Sequence, residues 1–179
     1  KRIGQIAVGM AALGAGWHFI EILNRGFSAG RLPLINTYET LLLLSLLILL
    51  VYFVTIKFYG SFVIGGFVGL MASLILALSC LLSPDIEPLM PSLKSNWLLF
   101  HVASAFLGYA AFAVSAASAC LYLSTYYVSG LLRTRSKKKA LMEYLGSLTG
   151  RLIVLGVPFL TMGIVTGASD PTHYPNGEN

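Results

Sequence analysis

Five long apolar runs constrain the fold more than any other feature of this 179-residue sequence. They cover about residues 3–23, 39–59, 61–83, 97–128 and 150–168. Each run is long enough for a helix to cross a hydrocarbon core about 30 Å thick. None alternates like a barrel strand, and only helices or closed barrels satisfy their backbone hydrogen bonds in lipid. The sequence therefore predicts an all-α membrane protein, with residues 1–179 forming a single bundle of about five transmembrane helices.

The overall composition agrees with this interpretation and excludes several other classes of protein. Hydrophobic residues make up 56% of the chain and charged residues only 11%, whereas soluble domains carry about 25% charged residues. An ordinary soluble enzyme, a disordered chain and a nucleic-acid-binding domain are therefore excluded, and no nucleic-acid partner is expected. The chain contains no P-loop, nucleophile elbow or zinc-protease motif. We therefore assign no catalytic residue.

The distribution of basic residues predicts how the bundle is oriented. If the N-terminus is cytoplasmic, nine of the 12 Lys and Arg residues lie on the inner side. The other three, Arg25, Arg31 and Lys94, lie on the outer side. An excess of Lys and Arg in cytoplasmic loops is the usual pattern in membrane proteins. The sequence thus predicts a cytoplasmic N-terminus and an outer C-terminus.

The segments between the runs differ in character. Residues 24–38 predict an ordered outer loop, and Asn36 followed by Glu39 three residues later is typical of a helix start with Asn36 as the N-cap. Residues 84–96 contain three prolines and predict a segment lying on the membrane surface. Residues 131–149 are basic and then amphipathic, which predicts a short interfacial helix on the inner side.

The fourth run is dominated by small residues. Between Ala103 and Cys120 it is mostly alanine, serine and glycine. Small residues let helix backbones approach closely in lipid, so we expect this helix to be central. Cys80 lies near the outer end of the third run, whereas Cys120 lies near the inner end of the fourth. This difference in depth excludes a disulfide between them.

Histidines in two of the runs are the first candidates for a functional site. His18 lies near the outer end of the first run, and His101 lies about one turn inside the outer end of the fourth. An ionisable residue within a span is a functional candidate. Imidazole at this depth can ligate haem iron, relay protons or hydrogen-bond a neighbouring helix. His173 is interpreted as a polar residue of the outer tail.

Further candidates lie at the same predicted interface. Glu21 is at i+3 from His18 and can orient its imidazole, while Arg25 is at i+4 from Glu21, where a surface ion pair is the simplest account of both. Trp17 and Trp97 fit an aromatic belt, or else a platform beside a flat apolar ligand.

Two stretches resemble the Ccs-type (system II) cytochrome c synthase family. The run HFIEILNRGFSAGRLPLINTYETL is similar to the first outer loop of that family, with matches at Gly30, Pro33, Asn36, Tyr38 and Glu39, and with Thr40 in place of Ser. The run LKSNWLLFHVASAFLGYAAF is similar to the pattern around the first outer histidine, with matches at Ser95, Trp97, His101, Gly108, Tyr109, Ala110 and Phe112. Residues 151–168 resemble the helix that leads into the family's tryptophan-rich haem loop.

The resemblance implies a cytochrome c biogenesis membrane protein, a component of a haem lyase. Such proteins move haem across the membrane and attach it to the CxxCH cysteines of apocytochrome c. By this resemblance His101 would be an axial ligand of the haem iron. From their positions alone, His18, Trp97 and Arg31 are further candidate haem contacts. The implied partners are haem, the lipid bilayer, and apocytochrome c or a Ccs-type partner membrane protein. The implied location is a bacterial inner membrane or a plastid thylakoid, with the histidines on the outer side.

The resemblance ends after Gly167 and Ala168. The chain continues as SDPTHYPNGEN, and no tryptophan follows Trp97. The expectation is thus a protein that resembles only the N-terminal half of the family and lacks its tryptophan-rich haem loop, as a truncated or a diverged form. The alternative is a non-enzymatic membrane subunit that anchors or regulates a respiratory or tetrapyrrole-pathway complex.

Overall fold

The described part of the chain forms five α-helices, as the apolar runs predict. A computed structural model describes residues 2–86, 96–128 and 135–168. The helices are α1 (Arg2–Ala29), α2 (Thr37–Tyr59), α3 (Gly65–Ser79), α4 (Asn96–Tyr127) and α5 (Arg135–Ala168). The predicted all-α fold is therefore confirmed.

Four of the five helices are long and apolar enough to cross a membrane, namely α1, α2, α4 and α5. The third is shorter than its apolar run, because residues 61–64 form a turn before the helix begins at Gly65. With 15 residues and a rise of 1.5 Å per residue, α3 is about 22 Å long. It is therefore shorter than the hydrocarbon core, which is about 30 Å thick.

The ends of α2 are set by local sequence. Asn36 is the N-cap, as predicted, and its side-chain oxygen accepts a hydrogen bond from the Glu39 backbone N–H at 2.9 Å. The helix ends at Gly60, whose φ of 64° lies in the left-handed region that favours glycine. The Gly60 N–H donates to the Ile56 carbonyl at 2.7 Å. The Asn36 cap thus fixes where the outer loop meets the bundle, and the Gly60 cap fixes where α2 ends before the turn to α3.

The antiparallel pair of α4 and α5 forms the most extensive helix–helix contact. Small residues of α4 are fully buried there and against α2 and α3, including Ala110, Val114 and Ala117. The hydroxyl groups of Ser115 and Ser118 donate to carbonyl oxygens of α5, each at 3.1 Å. The prediction that the fourth helix is central is confirmed.

The separate interfacial helix predicted within residues 131–149 is wrong. Its described part, from Arg135 onward, belongs to the single helix α5. Leu145, Leu148 and Leu152 are all buried in the core, and their spacing places them on one face of a helix. Packing on the core therefore keeps this segment in line with the span that follows.

Some expectations concern residues outside the described part of the chain. Of the predicted surface segment 84–96, residues 87–95 are not described, and His173 lies in a region that is not described either. Cys80 and Cys120 are both free cysteines.

The orientation of the bundle is a prediction that labelling can test. In a background with Cys80→Ser and Cys120→Ser, a single cysteine would be placed at Ser28 or at Ser136, both exposed. We expect a membrane-impermeant maleimide to label the Ser28→Cys variant on intact cells, and the Ser136→Cys variant only after permeabilisation, because most basic residues belong on the cytoplasmic side. The reverse pattern would contradict the predicted orientation.

Candidate functional site

A buried carboxylate organises the end of the bundle predicted to face outward. Glu39, in the first turn of α2, has a side chain with no exposed surface. One carboxylate oxygen accepts from Arg25 Nε at 3.0 Å, and the other from Arg31 Nη1 at 2.9 Å. The Ile35 backbone N–H also donates to Glu39, at 2.9 Å. We call Arg25, Arg31 and Glu39 the carboxylate clamp.

The clamp joins segments that are far apart in sequence. Arg25 also donates to the carbonyl oxygens of Pro84 and Asp85, at 2.7 and 3.0 Å. Its guanidinium lies 4.8 Å from the centre of the Tyr38 ring, a cation–π distance. Arg25 thus connects the end of α1, the start of α2 and the segment after α3. The predicted pairing of Arg25 with Glu21 is wrong, because the guanidinium is directed at Glu39.

Arg31 is held by the same carboxylate. Its side chain is only 7% exposed, and it also donates to the Leu32 carbonyl at 3.2 Å. Arg31 therefore contributes to the fold of the outer loop.

His101 lies on the face of α4 that contacts α5. Its Nδ1 is 2.5 Å from the Gly163 carbonyl oxygen. A carbonyl oxygen can only accept, so Nδ1 carries the proton, and in the neutral imidazole the lone pair is therefore on Nε2. One turn earlier, Trp97 donates its indole N–H to the Thr166 carbonyl at 2.6 Å. Trp97 and His101 therefore form one polar contact between α4 and α5.

His18 lies in a different helix contact. Its Nε2 is 2.9 Å from both the Leu42 carbonyl oxygen and the Ser45 hydroxyl group of α2. The adjacent niche between α1, α2 and α3 has a volume of about 240 Å³, which is below the range of roughly 300–1,000 Å³ typical of ligand pockets. The geometry at His18 matches a hydrogen bond to a neighbouring helix, one of the roles considered for it.

A large apolar cavity at this end adjoins the clamp. It has a volume of about 800 Å³ and lies between α1, the outer loop, α2 and α4. Arg31 lines it, together with apolar residues such as Phe27, Leu43 and Leu99. Trp97, His101 and His18 are not among its lining residues. The structure thus places Arg31 at a cavity. It bonds both Trp97 and His101 of α4 to carbonyl oxygens of α5, and it bonds His18 of α1 to α2.

Two features of the site were not predicted, the ion pairs of Glu39 and the close glycine contacts of α5, although the sequence carries a signal for each. The first is Glu39, an acid at the start of an otherwise apolar helix, downstream of two outer arginines. The second is Gly163-x-x-x-Gly167 in α5, a spacing typical of close helix contacts. A Cβ at Gly163 would lie 2.9 Å from the Ala105 Cβ, and one at Gly167 only 2.6 Å from His101 Nδ1. Gly163 therefore allows the backbone of α4 to approach α5, and Gly167 leaves room for the His101 ring.

Comparison with known proteins shows the family of this chain. The sequence profile of the family described as "Cytochrome C assembly protein" matches residues 34–169. The chain belongs to the cytochrome c assembly protein family. The match includes Glu39, Trp97 and His101, whereas His18 and Arg31 lie before it. The family resemblance noted in the sequence is therefore confirmed.

Individual relatives carry the same description. The chain is 31% identical to the "Cytochrome c biogenesis protein CcsA" of Heterosigma akashiwo, over 84% of this chain and 58% of that protein. It is 29% identical to the protein of that name from Guillardia theta, over 94% of this chain and 63% of that protein. It is 28% identical to the protein of that name from Thermosynechococcus vestitus, over 80% of this chain and 58% of that protein. The chain thus spans about three fifths of these relatives.

The four long apolar helices and these relatives together identify an integral membrane protein. No solved structure matches the chain significantly.

Proposed function

We propose that this cytochrome c assembly family member handles haem as cargo for apocytochrome c, with His101 as an axial ligand of the iron. One observation carries the proposal, namely the hydrogen bond from His101 Nδ1 to the Gly163 carbonyl oxygen. Histidines that ligate metals almost always donate their other ring N–H to a carbonyl or carboxylate, which fixes the ring and raises its basicity. His101 has this arrangement, and its Nε2 lone pair is the one available to iron.

The surroundings of His101 suit a planar, largely apolar cargo. Trp97 lies one turn away on the same face of α4 and offers an aromatic surface. Gly167 lies against the His101 ring, where a Cβ would come 2.5 Å from Cε1, 2.6 Å from Nδ1 and 3.3 Å from Nε2. Glycine at this position leaves room for the imidazole ring between α4 and α5. A neutral imidazole would supply the lone pair that ligates haem iron.

The other predicted contacts have different roles in this proposal. Arg31 and Arg25 shape the outer loop through Glu39, and the 800 Å³ cavity beside Arg31 is within the size range of ligand pockets. Because the Nε2 of His18 is bonded to α2, we propose that any second ligand of the iron would be a group other than His18.

Partners and location follow from the family and the charge distribution. We propose that apocytochrome c receives the haem, alone or with a Ccs-type partner membrane protein, and that the site faces the outer side of a bacterial inner membrane or a plastid thylakoid. The support is the description of the relatives as cytochrome c biogenesis proteins and the excess of basic residues on the opposite side.

Removing the imidazole of His101 tests the proposal. We expect haem bound to the detergent-purified chain to show a shifted Soret band in the His101→Ala variant. Haem affinity should fall by more than about tenfold, because losing even an outer partner of a ligating histidine typically costs 10–100-fold in metal affinity. Added imidazole should restore the original spectrum, since it replaces only the lost ligand. The measurement is a haem titration followed by absorbance.

The matched control is His18→Ala, which removes the other described histidine of a long helix. We expect its haem spectrum to remain that of the unmodified chain. An unchanged spectrum in His101→Ala, or a chain that never retains haem, would contradict the proposal and favour the membrane-subunit alternative.

A further inference from the structure

A second apolar cavity lies toward the opposite end of the bundle, between α2, α4 and α5. It has a volume of about 500 Å³. Val54 and Phe58 of α2, Leu107 of α4, and Leu155 and Phe159 of α5 are among the residues that line it. We call this cavity the inner groove. It uses none of the residues of the carboxylate clamp or the His101 contact.

A basic residue lies at the end of the inner groove near the C-terminus of α2. Arg151 lines the groove beside Tyr59. Its Nη1 donates to the Tyr59 hydroxyl at 3.5 Å, and its guanidinium lies 5.4 Å from the centre of the Tyr59 ring. Across the described ranges, no carboxylate comes within 4.0 Å of Arg151. Arg151 thus presents an exposed positive charge at the mouth of an apolar groove.

The inner groove has the depth of one leaflet. Along α2 it runs from Leu47 to Tyr59, which is roughly 18 Å at 1.5 Å per residue. Half of a hydrocarbon core is about 15 Å. An occupant anchored at Arg151 would therefore reach from the membrane interface to near the midplane, as a phospholipid acyl chain does.

Charge complementarity indicates which lipid fits. The end of the groove at Arg151 lies on the side predicted to be cytoplasmic, where anionic lipids attract basic residues. The large outer cavity meets the groove at Leu47 and Leu107, but its arginine, Arg31, is already paired with Glu39. A headgroup phosphate can therefore pair with Arg151, whereas Arg31 offers no comparable charge.

We propose that the inner groove is a binding site for one anionic phospholipid, with an acyl chain along α2, α4 and α5 and its phosphate at Arg151. Aromatic residues such as Tyr59 commonly lie at headgroup level, which agrees with this depth. The site is independent of the proposed haem function.

Native mass spectrometry of the chain released from nanodiscs tests the proposal. The nanodiscs would contain equal amounts of phosphatidylglycerol and phosphatidylcholine. We expect the unmodified chain to retain one lipid with a preference for phosphatidylglycerol. Arg151→Gln should lower this preference by about fivefold, the factor expected for one basic residue at an anionic surface. Val54→Trp should fill the groove and abolish retention of both lipids.

Two control variants test whether the effects on lipid retention are specific to the inner groove. Lys137→Gln removes an exposed cation of the same helix that does not line the groove, and Val157→Trp adds the same bulk on another face of α5. Both should retain the lipid as the unmodified chain does, and circular dichroism should confirm that every variant is folded. Equal effects of Arg151→Gln and Lys137→Gln, or full lipid retention by Val54→Trp, would overturn the proposal. A lipid-free dimer of the unmodified chain would instead assign the groove to a second copy.

Discussion

Replacing Glu39 with glutamine is expected to lower the free energy of unfolding by about 3–5 kcal/mol, the usual cost of removing one partner of a buried ion pair. Glutamine preserves the size of the side chain but removes its charge. The side chains of Arg25 and Arg31 are only 10% and 7% exposed, so both guanidinium groups would remain buried without their counter-ion. One remaining amide oxygen cannot satisfy two guanidinium groups and the Ile35 N–H.

The loss should be greatest around the outer loop. We expect limited proteolysis between Gly30 and Asn36 to accelerate, because the bonds from Arg31 and the Ile35 N–H to Glu39 hold this loop. Unfolding would be followed by circular dichroism in mixed micelles containing increasing amounts of a denaturing detergent.

The control is Glu143→Gln. Its ion pair with Lys139, at 3.9 Å, is exposed on both sides, and such pairs contribute at most about 1 kcal/mol. If Glu39→Gln were as stable as Glu143→Gln, the carboxylate clamp would not hold the outer end of the bundle together.

The helices were predictable because lipid leaves the backbone so few choices. The boundaries of the helices were less predictable, because hydropathy measures how apolar a run is and not where the helix begins. The third run is apolar from residue 61, yet the turn before Gly65 shortens α3. The basic and amphipathic character of residues 131–149 predicted a separate interfacial helix, yet α5 runs from Arg135 through this segment into the apolar run, because packing of Leu145, Leu148 and Leu152 keeps the helix continuous.

The candidate site was less predictable than the fold. Spacing along a helix relates residues three or four apart, and it paired Arg25 with Glu21. The contact with Glu39 crosses 14 positions and depends on how the outer loop folds back. In the same way, sequence placed His18 and His101 at one depth but held no information on their directions. Those directions depend on which helices become neighbours. In the structure His18 bonds to α2 and His101 bonds to α5.

Gly108→Leu is expected to separate α4 from α5 and to lower the free energy of unfolding by at least about 3 kcal/mol, the upper end of the usual cost of overpacking. A Cβ at Gly108 would lie 2.9 Å from the Leu160 nitrogen and 3.1 Å from the Gly156 carbonyl oxygen. Both are backbone atoms of α5, so no side-chain rotation can relieve the contact. The helices would have to move apart, and lipid does not restore the lost packing.

The separation should be visible at the proposed haem site, because Trp97 and His101 are attached to the same face of α5. In a Trp17→Phe background, Trp97 is the only tryptophan, and its indole N–H bonds to the Thr166 carbonyl. We expect its fluorescence to shift to the red in Gly108→Leu. The control is Gly150→Leu, since a Cβ at Gly150 would meet nothing within 4 Å. If both variants kept the emission and stability of the parent chain, close contact at Gly108 would not be what holds His101 against Gly163.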